Sequence, residues 1–138
     1  MRAVLDVNVL ISALLNKEGA PASLLRRWLA GDFELVSSEL QLAELDRALA
    51  YPKIRRRISE DEGAWFVNLM RSTATMQPDV ANPPRRSRDA SDDYLVALAE
   101  AYAAILVTGD NDMLAGAGSR PIISPGAFVA KLGQAPGP

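Results

Sequence analysis

The 138-residue chain contains neither cysteine nor histidine. Without cysteine there are no disulfides and no thiolate metal sites, and the redox state of the compartment leaves no mark on the sequence. Without histidine a Ser-His pair, a histidine general base and the usual zinc sites are excluded. Catalysis, if there is any, falls to carboxylates, which together with water and phosphate oxygens suit Mg²⁺ or Mn²⁺. Long hydrophobic runs are missing too. No stretch approaches the roughly eighteen apolar residues of a membrane span, so none is expected. The apolar segment before Asp6 is too short for a signal peptide, and the chain is expected in the cytoplasm. An excess of positive charge is also absent: 15 Lys and Arg against 17 Asp and Glu give a net charge of −2. That is a poor match to a simple nucleic-acid binder, which is expected to be basic.

Hydrophobic residues make up 49% of the chain and charged residues 23%, enough for a core and an ordinary polar surface. The length suits one α/β domain, expected over residues 1–132 with a frayed tail over 133–138. Arg2-Ala3-Val4-Leu5-Asp6-Val7 reads as a buried parallel strand, followed by an apolar helical segment from Val9 to Leu15. Pro21 suits the first turn of a second helix carrying Leu24, Leu25, Trp28 and Leu29, and Phe33 to Val36 is a second strand. Ser37 or Ser38 can cap a helix running to Leu49, and Ser59-Glu60-Asp61-Glu62 opens another whose apolar residues are Trp65, Phe66, Leu69 and Met70. A short strand over Thr73 to Met76 precedes a loop rich in Pro and Arg from Gln77 to Arg88. Ser91-Asp92-Asp93 begins a helix with Tyr94, Leu95, Leu98, Ala99 and Tyr102 on its apolar face. Strands follow at Ala104–Thr108 and Pro121–Ile123, with a last helix from Pro125 to about Leu132.

Strands alternating with helices imply a parallel sheet with helices on both faces, and such sheets bind ligands beyond the carboxyl ends of their strands. Asp6 ends the first strand, Asp110 lies just past the fourth, Asp112 follows two residues later, and Asp92 starts the helix between. Each acid has an ordinary structural reading as a helix cap or turn residue. Together at one sheet edge they read differently. Two carboxylates about 4 Å apart at an effective dielectric near 20 repel by roughly 4 kcal/mol, so a cluster calls for protons or a cation. On the helix from Leu40 to Leu49, apolar neighbours on two sides suggest a largely buried element, and Glu39, Glu44 and Asp46 compete as further candidates.

The ordered pieces Val4-Leu5-Asp6-Val7-Asn8-Val9-Leu10-Ile11, Ser38-Glu39-Leu40-Gln41-Leu42-Ala43-Glu44-Leu45, Asp89-Ala90-Ser91-Asp92-Asp93-Tyr94-Leu95 and Leu106-Val107-Thr108-Gly109-Asp110-Asn111-Asp112-Met113-Leu114 span almost the whole chain. In that order they resemble the PIN-domain family, and within it the toxins of toxin–antitoxin systems, an impression strengthened by the stretch from Glu44 to Pro52-Lys53-Ile54. The resemblance implies a three-layer α/β/α fold with a five-stranded parallel sheet and a Mg²⁺- or Mn²⁺-dependent endoribonuclease. Carried over by position, Asp6, Glu44, Asp92 and Asp110 match the family's acidic quartet, Asp112 a frequent additional metal-binding acid, and Asn8 and Thr108 polar neighbours of the site. An antitoxin partner and a homodimer are implied by the resemblance alone. Arg85, Arg86 and Arg88, close in sequence to Asp92, are candidate contacts for RNA phosphates and would offset the acidic net charge locally. Two other classes remain. A haloacid-dehalogenase arrangement is disfavoured by Asn8 in place of a second Asp, and a receiver by the lack of adjacent acids on the first strand. The second class is a metal-free interaction module.

Overall fold

A computed structural model describes residues 1–133. Its strands are β1 (Arg2–Leu5), β2 (Glu34–Ser37), β3 (Thr75–Met76), β4 (Ile105–Val107) and β5 (Ile122–Ile123). All pair in parallel in the order β3-β2-β1-β4-β5, the five-stranded sheet expected. The helices are α1 (Val7–Leu15), α2 (Ala20–Leu29), α3 (Glu39–Leu49), α4 (Pro52–Arg55), α5 (Glu60–Thr73), α6 (Asp93–Ala101), α7 (Asn111–Ala115) and α8 (Pro125–Gly133). Among the described residues no helix is long and apolar enough to cross a membrane.

The central strands are buried on both faces, which is why they read as continuous apolar runs rather than alternating ones. Successive side chains still point to opposite sides. Ala3, Leu5, Leu35 and Val107 join the larger core with α1, α2, α3, α5 and α8, whereas Val4, Val36 and Leu106 join a second core with α6 and Met113 of α7. Phe33 and Phe128 meet edge to face at 5.1 Å, fixing α8 beside the start of β2.

Local signals place the helix ends. Pro21 lies in the first turn of α2, and Gly31, at φ 85°, follows its end in the left-handed conformation that costs glycine little. The hydroxyls of Ser38 and Ser59 accept from the amides of Gln41 (3.3 Å) and Glu62 (3.1 Å), capping α3 and α5.

Four details depart from expectation. The helix α3 is two-faced rather than largely buried: Leu42, Leu45 and Leu49 face the core, while Leu40 is 50% exposed. On α5 the inward stripe is Gly63, Phe66 and Met70, and Trp65, one step around the helix, is 62% exposed. The turn α4 has no apolar periodicity to announce it and begins on Pro52 at its first position. Finally, α8 takes in Gly133, the first residue of the expected tail, and residues 134–138 lie outside the described residues.

Candidate active site

The parallel pairing of β1 with β4 sets Leu5 beside Val107 and so brings the residues after each strand together. The amide of Asp6 still pairs with the carbonyl of Val107 (2.9 Å), while its own carbonyl accepts from Val9 and Leu10 to start α1. Strand therefore turns into helix at the aspartate itself, and its side chain is left at the carboxyl edge of the sheet. It is buried, and Thr108 Oγ1 donates to its Oδ2 at 2.8 Å. The same hydroxyl oxygen accepts from the amide of Asp110 at 3.1 Å. One threonine thus ties the end of β1 to the loop after β4.

Asp110 in turn caps α7, its Oδ1 accepting from the amides of Asp112 (2.8 Å) and Met113 (3.3 Å). Asp92 ends a short 3₁₀ turn, Ala90–Asp92, and leads into α6. Glu44 reaches the same edge from α3, where Tyr94 donates its hydroxyl to Glu44 Oε2. The competing acids go elsewhere. Glu39 pairs with Arg71, and it and Asp46 line a groove between α3 and α5.

The electrostatics report the convergence. Asp92 is pushed up to about 6, first by partial burial and then by the negative charges of Asp6, Asp89, Asp110 and Glu44. Asp6 is also raised, chiefly by burial and further by Asp110, with the Thr108 hydroxyl pulling the other way. Acids from the end of β1, α3, the entry to α6 and the loop after β4 therefore share one field.

The remaining candidates are more peripheral. Asp112 is exposed and lies 3.7 Å from the Arg88 guanidinium. Asn8, also exposed, lines a separate depression with Ser12, Pro21 and Asp110. Arg85 and Arg88 line a cavity of about 420 Å³ whose other walls include Asp92, Asp110 and Asp112. Arg86 turns away from it and pairs with Glu100 at 3.5 Å.

Three contributors escaped the sequence reading. Asp93 is buried, and its Oδ1 accepts from the amides of Arg86 (3.0 Å) and Ser87 (2.9 Å) and from Ser87 Oγ (2.6 Å), while Arg85 pairs with Oδ2 at 3.2 Å. It clasps the arginine loop against α6. Gln41, wholly buried, donates to the carbonyl of Leu5 at 2.6 Å and accepts from Ser37 Oγ at 2.7 Å, steadying the strand that ends in Asp6. Tyr94 holds Glu44. The Asp92-Asp93-Tyr94 run was visible, but nothing in it distinguishes a clasp from a helix-start acid.

The model of the PIN domain matches residues 2–112, most of the chain and all four converging acids. The chain belongs to the PIN-domain family. Over 117 residues, 83% of this chain and 74% of the other, this PIN domain is 26% identical to the uncharacterized protein MJ1680 of Methanocaldococcus jannaschii. Its fold is similar to that of PAE2754 from Pyrobaculum aerophilum, with a TM-score of 0.67 at 18% identity over 98% of this chain and 91% of that one. It is also similar to VapBC2 from Rickettsia felis, solved bound to a DNA fragment from their promoter (TM-score 0.59, 16% identity, 89% of this chain and 97% of that one). FitAcB from Neisseria gonorrhoeae matches with a TM-score of 0.54, the same identity and the same coverage.

The donor set of this PIN domain is all oxygen and all acidic, the chemistry of a hard divalent cation. Among the described residues no group of three or more acids is placed to hold a metal ion by itself. An open set still fits Mg²⁺, which is held by one or two carboxylates together with waters and substrate phosphates rather than by an all-protein shell.

Proposed function

We propose that this PIN domain is a divalent-metal-dependent endoribonuclease that hydrolyses RNA phosphodiester bonds. The observation that carries the reading is the convergence of Asp6, Glu44, Asp92 and Asp110 on one sheet edge, where partial burial first and then the charges of its neighbours raise Asp92 to about 6. Acids that repel one another at the ligand edge of a parallel sheet are suited to a cation. Asp6, Asp92 and Asp110 would hold Mg²⁺ or Mn²⁺, with Asp112 available from the rim. When bound, the ion supplies Lewis acidity for attack on phosphorus and charge for the leaving oxygen. The protein's own part is positional. Thr108 keeps Asp6 and Asp110 in register, Glu44 helps place the metal or the attacking water, and Arg85 and Arg88 meet the phosphates of the strand in the adjoining cavity.

We extend the likeness to VapBC2 and FitAcB into a role as the toxin half of a toxin–antitoxin pair, acting in the cytoplasm beside a cognate antitoxin and able to form a homodimer. The test is incubation of the purified chain with a mixed RNA pool and Mn²⁺ or Mg²⁺, beside EDTA and an Asp6→Asn control. The expected result is cleavage that disappears with EDTA and in the variant; activity retained by Asp6→Asn refutes the assignment. The open spacing of the acids favours a second reading, a metal-free interaction module. Absence of both cleavage and any Mn²⁺-induced thermal shift would select it.

A further inference from the structure

Tyr94 is not one of the acids, yet it makes the contact that singles out Glu44. It stands in the first turn of α6, next to buried Asp93, and its ring packs against the second core, the cluster of Val36, Leu95 and Leu98. An aromatic ring has only two side-chain torsions, and packing of this kind fixes both, so the hydroxyl is presented at a defined point. There it donates to Glu44 Oε2 across fifty positions of sequence, joining α6 to α3. With Oε2 engaged, the carboxylate of Glu44 is tethered to the start of α6, where its charge acts on Asp92. A helix carboxylate without such a partner would sample several rotamers, and α3 supplies no other side chain that restrains it.

We infer that Tyr94 is a positioning residue, holding Glu44 in the orientation from which that carboxylate serves the acidic cleft. The inference rests on the nuclease reading above and goes beyond it in naming a residue outside the acidic set.

The test uses the full chain and three variants: Tyr94→Phe, which keeps the ring, Glu44→Gln, and the two together. RNA cleavage, Mn²⁺ affinity by electron paramagnetic resonance and the ¹³C shift of the Glu44 carboxyl carbon are measured. Partners that orient metal-site carboxylates are worth roughly 10–100-fold in affinity or activity. Tyr94→Phe is expected to lower kcat about tenfold with KM changed less than about twofold. It should also weaken Mn²⁺ binding and move the Glu44 carbon. In the Glu44→Gln background the same substitution should cost nothing further, because the two residues act as one unit. Unchanged kcat and Mn²⁺ affinity, an unmoved Glu44 carbon, or an equal loss in the Glu44→Gln background overturns the inference while leaving the nuclease reading intact. A wild-type chain that neither cleaves RNA nor binds Mn²⁺ removes the nuclease reading first, and this inference with it.

Discussion

Asp92 and Asp93 share a peptide bond and have opposite surroundings. Asp92 faces Asp6, Asp89, Asp110 and Glu44, and partial burial with that repulsion raises it to about 6. Asp93 turns inward to a hydroxyl, two amides and a guanidinium, which hold it below the usual carboxylate range, the Ser87 hydroxyl most of all. One acid is strained by its neighbours and the other is satisfied by them. A reactive cleft needs charge that is not already compensated, whereas a structural anchor needs the reverse. The two are separated here by a single step at the start of α6.

The sharpest way to break the comparison is to neutralise each acid in turn. Asp92→Asn should reduce metal-dependent cleavage on the order of a thousandfold, since it removes a charge from the cation's site. The same variant should be more stable than wild type at pH 7. A carboxyl group whose folded value is raised has its full stability below the unfolded value near pH 4 and loses it as pH rises through about 6. Because Asp92 is half exposed and screened by water, the gain at pH 7 is about 1 kcal/mol, readable by urea unfolding. A variant less stable than wild type at pH 7 would mean that Asp92 is an anchor like its neighbour.

Asp93→Ala is expected to do the opposite, losing about 1–2 kcal/mol because the part-buried amides of Arg86 and Ser87 lose their acceptor. The pH dependence has the other sign too. A depressed carboxylate contributes stability above the unfolded value near pH 4 and loses it as pH falls through its lower folded value. Acid unfolding of Asp93→Ala should therefore be shallower than that of wild type below about pH 4. An unchanged acid limb would show that the clasp contributes nothing to folding.

Much of this was legible in advance. Parallel strands followed the alternation of apolar runs and helices, and once the sheet was parallel Asp6 and Asp110 had to share its ligand edge. Ser38, Ser59 and Pro21 marked their helix starts because capping chemistry is local. What failed was tertiary. Helical spacing could not choose among Glu39, Glu44 and Asp46, which differ by turns of one helix; a tyrosine fifty residues away makes the difference. Asp93 and Gln41 look like surface residues by type, and only the loop and the strand end packed over them explain their burial. Hydrophobicity alone does not separate Trp65 from Phe66 and Met70, although the Gly63-Phe66-Met70 stripe is the one that faces inward.

The smallest expected effect concerns the arginine loop that Asp93 holds. Three arginines in four positions invited treatment as one basic patch, yet their partners differ. Arg85 is bound to Asp93 and to the carbonyls of Ser87 and Arg88, Arg86 pairs with Glu100 on the outer side of α6, and Arg88 is 82% exposed with only a 3.7 Å contact to Asp112. A cation contributes to the salt dependence of RNA binding by releasing a counterion from a phosphate, which requires that it reach one. Arg88→Ala should therefore lower the slope of log affinity against log salt by about 1. Arg86→Ala should leave that slope unchanged, with its effect confined to the contact with Glu100. Fluorescence anisotropy of a labelled RNA between about 50 and 200 mM salt separates the two. Equal losses in both variants would show that the loop acts through its summed charge, and the distinction between cleft and clasp would then end at Asp93.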